Sequence, residues 1–418
     1  MKVLAALVGL ALLTACASPT SPPLTSAGDW PMFRGDLLRD GHPASAALTA
    51  DQAAHLKLAW TRPLDGAIDG SPVVSGNRVI ALSDHGVIAA WDIRSGAPLW
   101  SHMGLGSFAG SAAVASSTVV AATLTGHVLA FDLATGRARW DWTAPGVQPA
   151  IWSSPAVFGQ TVVIGIASQY GDKPLEAGRI AALDLATGQQ RWVFCVLSGC
   201  TPGAGVWSSA AIDAAGRGIV GVGNPVDGLL AFDTATGRLL WKTSLHPDAD
   251  RDLDVGATPV ILNAGGREEV AVGSNAGMFA LLDAGNGSVI WSRFLVAGSA
   301  VHGLIASPAY DGQSLYVGSA SPPTGMFALD PKNGSIQWEA NTPLPVYSAP
   351  VVGARVLFFG TGDALGEAKG GALTALSTTD GAVVWSYDTR EAVLGGPTMA
   401  GSYVVAGTAG GLLLAFAP

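Results

Sequence analysis

Leu129-Ala130-Phe131-Asp132-Leu133-Ala134-Thr135-Gly136-Arg137-Ala138-Arg139-Trp140 is one copy of a unit that recurs along this chain. It reads as an apolar triplet, Asp, two residues, a small polar residue, Gly, three residues and Trp. Other copies occupy 89–100, 181–192, 230–241, 280–291 and 327–338. A degenerate copy, with Ser377 in place of Asp, occupies 373–385. The chemistry of the unit is that of a turn. The Asp ends a strand and accepts hydrogen bonds from the amides that follow. The Gly supplies the positive φ that brings the chain back. The Trp wedges a large apolar ring against a neighbour while its N–H seeks a carbonyl. An Asp and a Trp that return once per unit are scaffold, not catalytic groups.

From Trp60 to Trp385 the closing tryptophans lie 40, 40, 52, 49, 50, 47 and 47 residues apart, the length of a four-stranded propeller blade. A second element precedes each unit: Ser71-Pro72, Ser111-Ala112, Ser154-Pro155, Ser209-Ala210, Thr258-Pro259, Ser307-Pro308, Ala349-Pro350 and Gly396-Pro397. Each opens a short apolar run, which predicts the innermost strand of a blade. There are eight such openings but only seven Asp-Gly-Trp units. The last blade runs out at Leu412-Leu413-Leu414-Ala415-Phe416, and an orphan Trp strand stands at 55–60. Pairing the two closes the ring and removes both edges. The expected fold is all-β: an eight-bladed β-propeller of four-stranded antiparallel blades over 29–418, closed by an N-terminal strand.

Composition agrees. With 55 Gly, 13% charged and 49% hydrophobic residues, the chain suits many short buried strands. Mean hydropathy is +0.38, yet no apolar run after residue 16 approaches the ~18 residues of a spanning helix. A net charge of −9, with Lys and Arg scattered, argues against nucleic acid as a partner. A monomer is expected.

The N-terminus carries an address. Lys2 precedes an apolar run over 3–13, too short to span a bilayer and suited to a signal peptide over 1–15. The run ends in Leu13-Thr14-Ala15-Cys16, which resembles a bacterial lipobox. Cys16 is therefore expected to be lipidated, with 16–28 as a flexible tether to a membrane. The expected location is the cell envelope, periplasmic or outer-membrane associated. For an exported chain, Cys195 and Cys200 in one Gly-rich loop are expected to form a local disulfide. Two sulfurs with no His beside them make no zinc site.

A scaffold grows its function on long loops. The Asp-Gly turns are short, as are the hairpins after each Ser-Pro step. The connections 167–178, 194–205, 242–255 and 360–371 are long, and propeller geometry puts them on one face. No nucleotide P-loop or Gly-x-Ser-x-Gly elbow occurs. The alternation Asp248, Asp250, Asp252, Asp254 lacks the Gly and terminal Glu of an EF-hand and reads as a solvated loop.

The Asp-x-x-Thr-Gly-x-x-x-Trp units, together with Trp30-Pro31-Met32-Phe33-Arg34-Gly35-Asp36, resemble the quinoprotein alcohol dehydrogenase-like superfamily. The middle of the chain is most similar to polyvinyl-alcohol and methanol dehydrogenases. The resemblance implies pyrroloquinoline quinone (PQQ) and Ca²⁺ as cofactors. It implies that Trp207, in Gly205-Val206-Trp207-Ser208-Ser209, stacks on the quinone. It gives Asn224, in Gly223-Asn224-Pro225, the role of calcium ligand. Asp254, with Asp252 beside it, becomes the catalytic base and a second ligand. Two positions depart from the family pattern. The calcium-binding Glu falls near Gln169-Tyr170, which leaves Glu176 or Asp172 to supply that carboxylate. The Arg or Lys that contacts the quinone is replaced by Asn275. No haem motif is present, and Trp152 stands in the register of Trp207 one blade earlier. The superfamily also includes a cofactor-free propeller lipoprotein of the outer-membrane barrel-assembly machinery. The alternative expectation is therefore a propeller without cofactor that binds an envelope protein or a polymer.

Overall fold

The computed structural model describes residues 28–43, 48–247, 252–264 and 266–418. The signal peptide, Cys16, nearly all of the tether, Asp248 and Asp250 lie outside the described residues. The strands pair into eight four-stranded antiparallel sheets, the blades of a β-propeller. Blade 1 is typical: Val73–Ser75 innermost, then Arg78–Leu82, Ile88–Asp92 and Pro98–His102 outermost. Blade 4 repeats it with Ala211–Ile212, Arg217–Val222, Gly228–Asp233 and Leu239–Ser244. Middle strands such as Thr161–Ile166 are buried at every residue, because neighbouring blades cover both faces. Outer strands such as Ile336–Asn341 alternate and face solvent.

The recurrent unit joins blade to blade. In blade 2, Asp132 Oδ1 accepts from the amides of Ala134 and Thr135 at 3.1 and 2.9 Å. Gly136, at φ 71°, lies against the ring of Trp100 from blade 1. Trp100 Nε1 donates to the carbonyl of Leu133 at 3.1 Å. The same joint recurs as Trp140 to Leu185, Trp192 to Thr234, Trp241 to Ala284, Trp291 to Pro331 and Trp338 to Thr378. Each Trp thus docks on the turn of the next blade, where its ring replaces water over a glycine.

The ring closes where the sequence count implies. Lys57–Pro63 pairs antiparallel with Leu412–Ala417, beside Tyr403–Gly407 and Thr398–Ala400. The clasp strand begins at Lys57 and extends to Pro63. Ahead of it stands a short helix, Ala50–Ala54, whose capping box of Thr49 and Gln52 the sequence reading overlooks.

A larger omission is the segment 30–41. Trp30 and Val74 exchange backbone hydrogen bonds at 2.8 Å. The amides of Val114, Ile212, Ile261, Tyr310 and Val352 donate to the carbonyls of Pro31, Leu37, Leu38, Asp40 and Gly41. All come from innermost strands, whose free edges face the central channel. Arg34 and Arg39, both buried, donate to carbonyls of Pro308 and Pro350 and of Ala210 and Phe33 respectively. Burial lowers these guanidinium pKa values to about 9 and about 10. The segment floors the channel. Above it lies a 170 Å³ cavity that Phe33 helps to line.

Candidate functional site at the channel mouth

The long connections sit on the face where the innermost strands begin. Two residues before each Ser-Pro step, the chain presents a side chain to the cavity: Asp69 in blade 1, Trp152 in blade 3, Trp207 in blade 4, Tyr347 in blade 7. Trp207 is held firmly. Its neighbour Ser208 bridges to Gly221 by hydrogen bonds at 3.0 and 2.8 Å, and the Ser209 amide donates to Thr258 Oγ1 at 2.9 Å. The indole lies over Gly256, the corresponding residue of blade 5, where a Cβ would fall inside the ring.

Trp207 Nε1 donates to Asp254 Oδ2 at 2.6 Å. Asp254 Oδ1 accepts the Asn224 amide at 3.0 Å, and Asn224 Nδ2 donates to Asp252 Oδ1 at 3.3 Å. The carboxyl of Asp254 occupies the space beside Gly223 that a Cβ would need. Trp207, Asn224, Asp252 and Asp254 therefore meet at one point, although they come from three separate stretches of chain. Burial pushes the Asp254 carboxyl up to about 6; the Trp207 and Asn224 donors oppose the rise, while the charges of Asp252 and Asp172 add to it. Burial also raises Asp252, and Asp172 again adds to the rise. Asn224 Oδ1 is buried without a hydrogen-bond partner. Trp152, in the same register, donates instead to the carbonyl of Ser168 at 2.9 Å.

Two expected members stand apart. Glu176 has other partners: its Oε1 accepts the amides of Val147 and Gln148, both at 2.7 Å, and its Oε2 lies 3.5 Å from Arg179. The carboxylate staples a loop of blade 2 to blade 3 and does not join Asn224 and Asp254. Asn275 lies behind Asp254. Its amide donates to the Asp254 carbonyl at 2.9 Å and its Nδ2 to Ala300 O at 2.8 Å, and it supplies no positive charge. Among the described residues no group of three or more His, Cys, Asp or Glu is placed to hold a metal ion. Cys195 and Cys200 are joined by a disulfide, Cα atoms 5.2 Å apart. The chain then returns through Gly203, bonded to Glu176 and Gly178, and the Ala204 amide donates to the carbonyl of Asn224.

Aligning the residue two before each Ser-Pro step would have exposed Asp69 from sequence. Phe33 carried no comparable signal.

Comparison with known proteins agrees with this architecture. The PQQ-repeat family model described as outer membrane protein assembly factor BamB matches residues 37–173, 176–351 and 346–418. A polyvinylalcohol dehydrogenase of Sphingopyxis sp. (strain 113P3) is 24% identical over 94% of this chain and 75% of its own length. The quinohemoprotein alcohol dehydrogenase from Comamonas testosteroni superposes with a TM-score of 0.80 at 18% identity, covering 93% of this chain and 80% of that one. BamB from Moraxella catarrhalis superposes with a TM-score of 0.66 at 18% identity, covering 87% of this chain and 98% of that one. These superpositions speak for the fold.

Proposed function

The chain belongs to the PQQ-repeat propeller family whose model is described as outer membrane protein assembly factor BamB, and from that premise we propose that it is a quinone-dependent dehydrogenase of alcohols or polyols, anchored in the cell envelope through Cys16. The observation that carries the reading is the 2.6 Å hydrogen bond from Trp207 to Asp254. A carboxyl near pKa 6 is largely ionised at neutral pH and basic enough to take a hydroxyl proton. The residues fit a flat quinone with a hard cation. Asn224 Oδ1 is a buried oxygen without a donor, Asp254 is a second oxygen source, and the indole over Gly256 is a slab for a planar ring. Calcium takes about six to eight oxygens, so quinone and solvent would complete the shell.

Bound PQQ would supply the two-electron acceptor that no side chain here provides. The chain's own residues do the rest. Asp254 receives the alcohol proton. Trp207 and the Asn224 amide fix which way its two oxygens face. The floor at Phe33 leaves the opposite mouth of the cavity as the way in for substrate.

Purified protein given PQQ, Ca²⁺ and a primary alcohol should reduce an artificial acceptor dye. Asp254→Asn should retain quinone and lose turnover by about 100-fold or more, because an amide takes no proton. Parent protein without turnover would favour the cofactor-free reading, a propeller that binds an envelope protein or polymer, and turnover equal in the variant would remove Asp254 as the base.

A further inference from the structure

The joint between blades 6 and 7 departs from the repeat on the face of the Asp-Gly turns, opposite the channel mouth. In blades 2 and 3 the residue before the closing Trp is Arg139 or Arg191. Each ties the turn Asp of its own blade, Asp132 or Asp184, to the hydroxyl that opens the second strand, Thr118 or Thr161. In blade 6 the corresponding residue is Gln337, whose Oε1 accepts the Ser314 hydroxyl at 2.7 Å. The turn of blade 7 differs as well. Thr378-Thr379 stand where blade 3 has Leu185-Ala186, and Ser377 stands where it has Asp184. A 550 Å³ cavity lies among these residues, within the ~300–1,000 Å³ of small-molecule sites.

Arg355 brings a fixed charge. It lines the cavity from the inner hairpin of blade 7, with its backbone at φ 64°. In the hairpins of blades 1, 3, 6 and 8 the positive φ falls on a glycine, at 76, 159, 312 and 401. An arginine in that conformation is strained, and such strain gathers at functional sites. No described residue pairs with the Arg355 guanidinium, the His42 ring, the Gln313 side chain or the Thr379 hydroxyl, all from residues that line the cavity. The acceptors, by contrast, are spent. Asp311 Oδ1 takes the amides of Gln313 and Ser314, both at 2.8 Å, and its Oδ2 takes the Tyr316 hydroxyl at 2.7 Å. Donors without partners, one of them a guanidinium, suit a carboxylate gripped by two parallel N–H bonds. Of the ten lining residues only Gly353 lacks a polar side chain, so an acyl chain or an apolar peptide side chain gains nothing here. Hydroxyl groups do gain, from the amides and threonines.

We propose that this cavity binds an acidic sugar of the uronate class, its carboxylate on Arg355 and its hydroxyls on Gln313, Gln337 and Thr379. The proposal stands apart from the quinone site, which lies on the other face. The probe is glucuronate, titrated into the whole protein without quinone or calcium and followed by saturation-transfer difference NMR. Saturable transfer is expected in the parent. Affinity should fall about ten-fold or more in Arg355→Gly, which removes a charge-assisted pair. The melting temperature should hold, because glycine suits the positive φ. Thr379→Ala, which leaves the backbone as it is, should weaken binding about three-fold. Glucose, without a carboxylate, and acetate, without hydroxyls, should each bind about ten-fold more weakly than glucuronate or worse. The proposal is overturned by absent transfer in the parent, by undiminished affinity in either variant, or by glucose or acetate matching glucuronate.

Discussion

Trp385 Nε1 donates to the carbonyl of Leu56 at 3.1 Å, across 329 residues of sequence. At every other joint the accepting carbonyl belongs to the turn after a strand of the next blade. In blade 8 the strand beside Leu412–Ala417 is Lys57–Pro63, so no Asp-Gly turn joins the two. The helix Ala50–Ala54 brings Leu56 to that place, and the strand that follows sends Trp60 on to Ile93 O of blade 1 at 2.7 Å. Residues 50–60 thus complete both joints of the last blade. Trp60→Ala should cost about 3–5 kcal/mol through cavity and lost contacts, and should expose an edge that invites aggregation. A urea midpoint equal to the parent's would show that closure does not depend on this side chain.

Stability should peak in mild acid. Burial raises Asp36 to about 7 and Asp40, Asp69 and Asp254 to about 6. Each binds its proton more tightly folded than unfolded, so each costs stability above its folded pKa. That cost fades as pH falls toward the unfolded value of about 4. The turn aspartates act oppositely. Arg139 lowers Asp132 to about 2 and Arg191 lowers Asp184, while the Ser95 amide and the Thr236 hydroxyl lower Asp92 and Asp233. Their contribution is present above about pH 4 and is lost below it. The melting temperature should rise from pH 7 to between about 4 and 5 and then drop. A steady fall from pH 7 downward would contradict these assignments.

Gly256→Ala tests the seat of the indole. A Cβ there would enter the Trp207 ring, so the indole must turn out and release Asp254. Overpacking of this kind costs about 1–3 kcal/mol. The near-ultraviolet circular dichroism should change and quinone binding should be lost. An unaltered spectrum would mean that Trp207 does not rest on Gly256.

How much of this is legible in the sequence depends on whether each contact is periodic. The Asp-Gly-Trp joints repeat, so spacing alone sets Trp100 one blade ahead of Gly136, and the orphan Trp60 betrays the clasp. Trp207, Asn224 and Asp254 come from family resemblance, and they do converge. Glu176 could not be placed, because what claims it is a pair of backbone amides at Val147 and Gln148, which leave no mark on side-chain identity. The floor at 30–41 escapes for the same reason. It bonds through main chain to strands of six blades, and its arginines sit buried on carbonyls, against the usual preference of Arg for the surface.

Trp207, Asn224 and Asp254 are assigned to one quinone site dependent on a hard cation, and every step of the proposed chemistry rests on that. The most direct measurement is a titration of PQQ into the purified protein, followed by tryptophan fluorescence, with and without Ca²⁺ at about 1 mM, a level suited to a site with few protein ligands. Saturable quenching only with calcium is expected, lost in Asn224→Ala and kept in Asp254→Asn. Absence of calcium-dependent quenching at excess quinone would contradict the assignment and leave a propeller that binds something else.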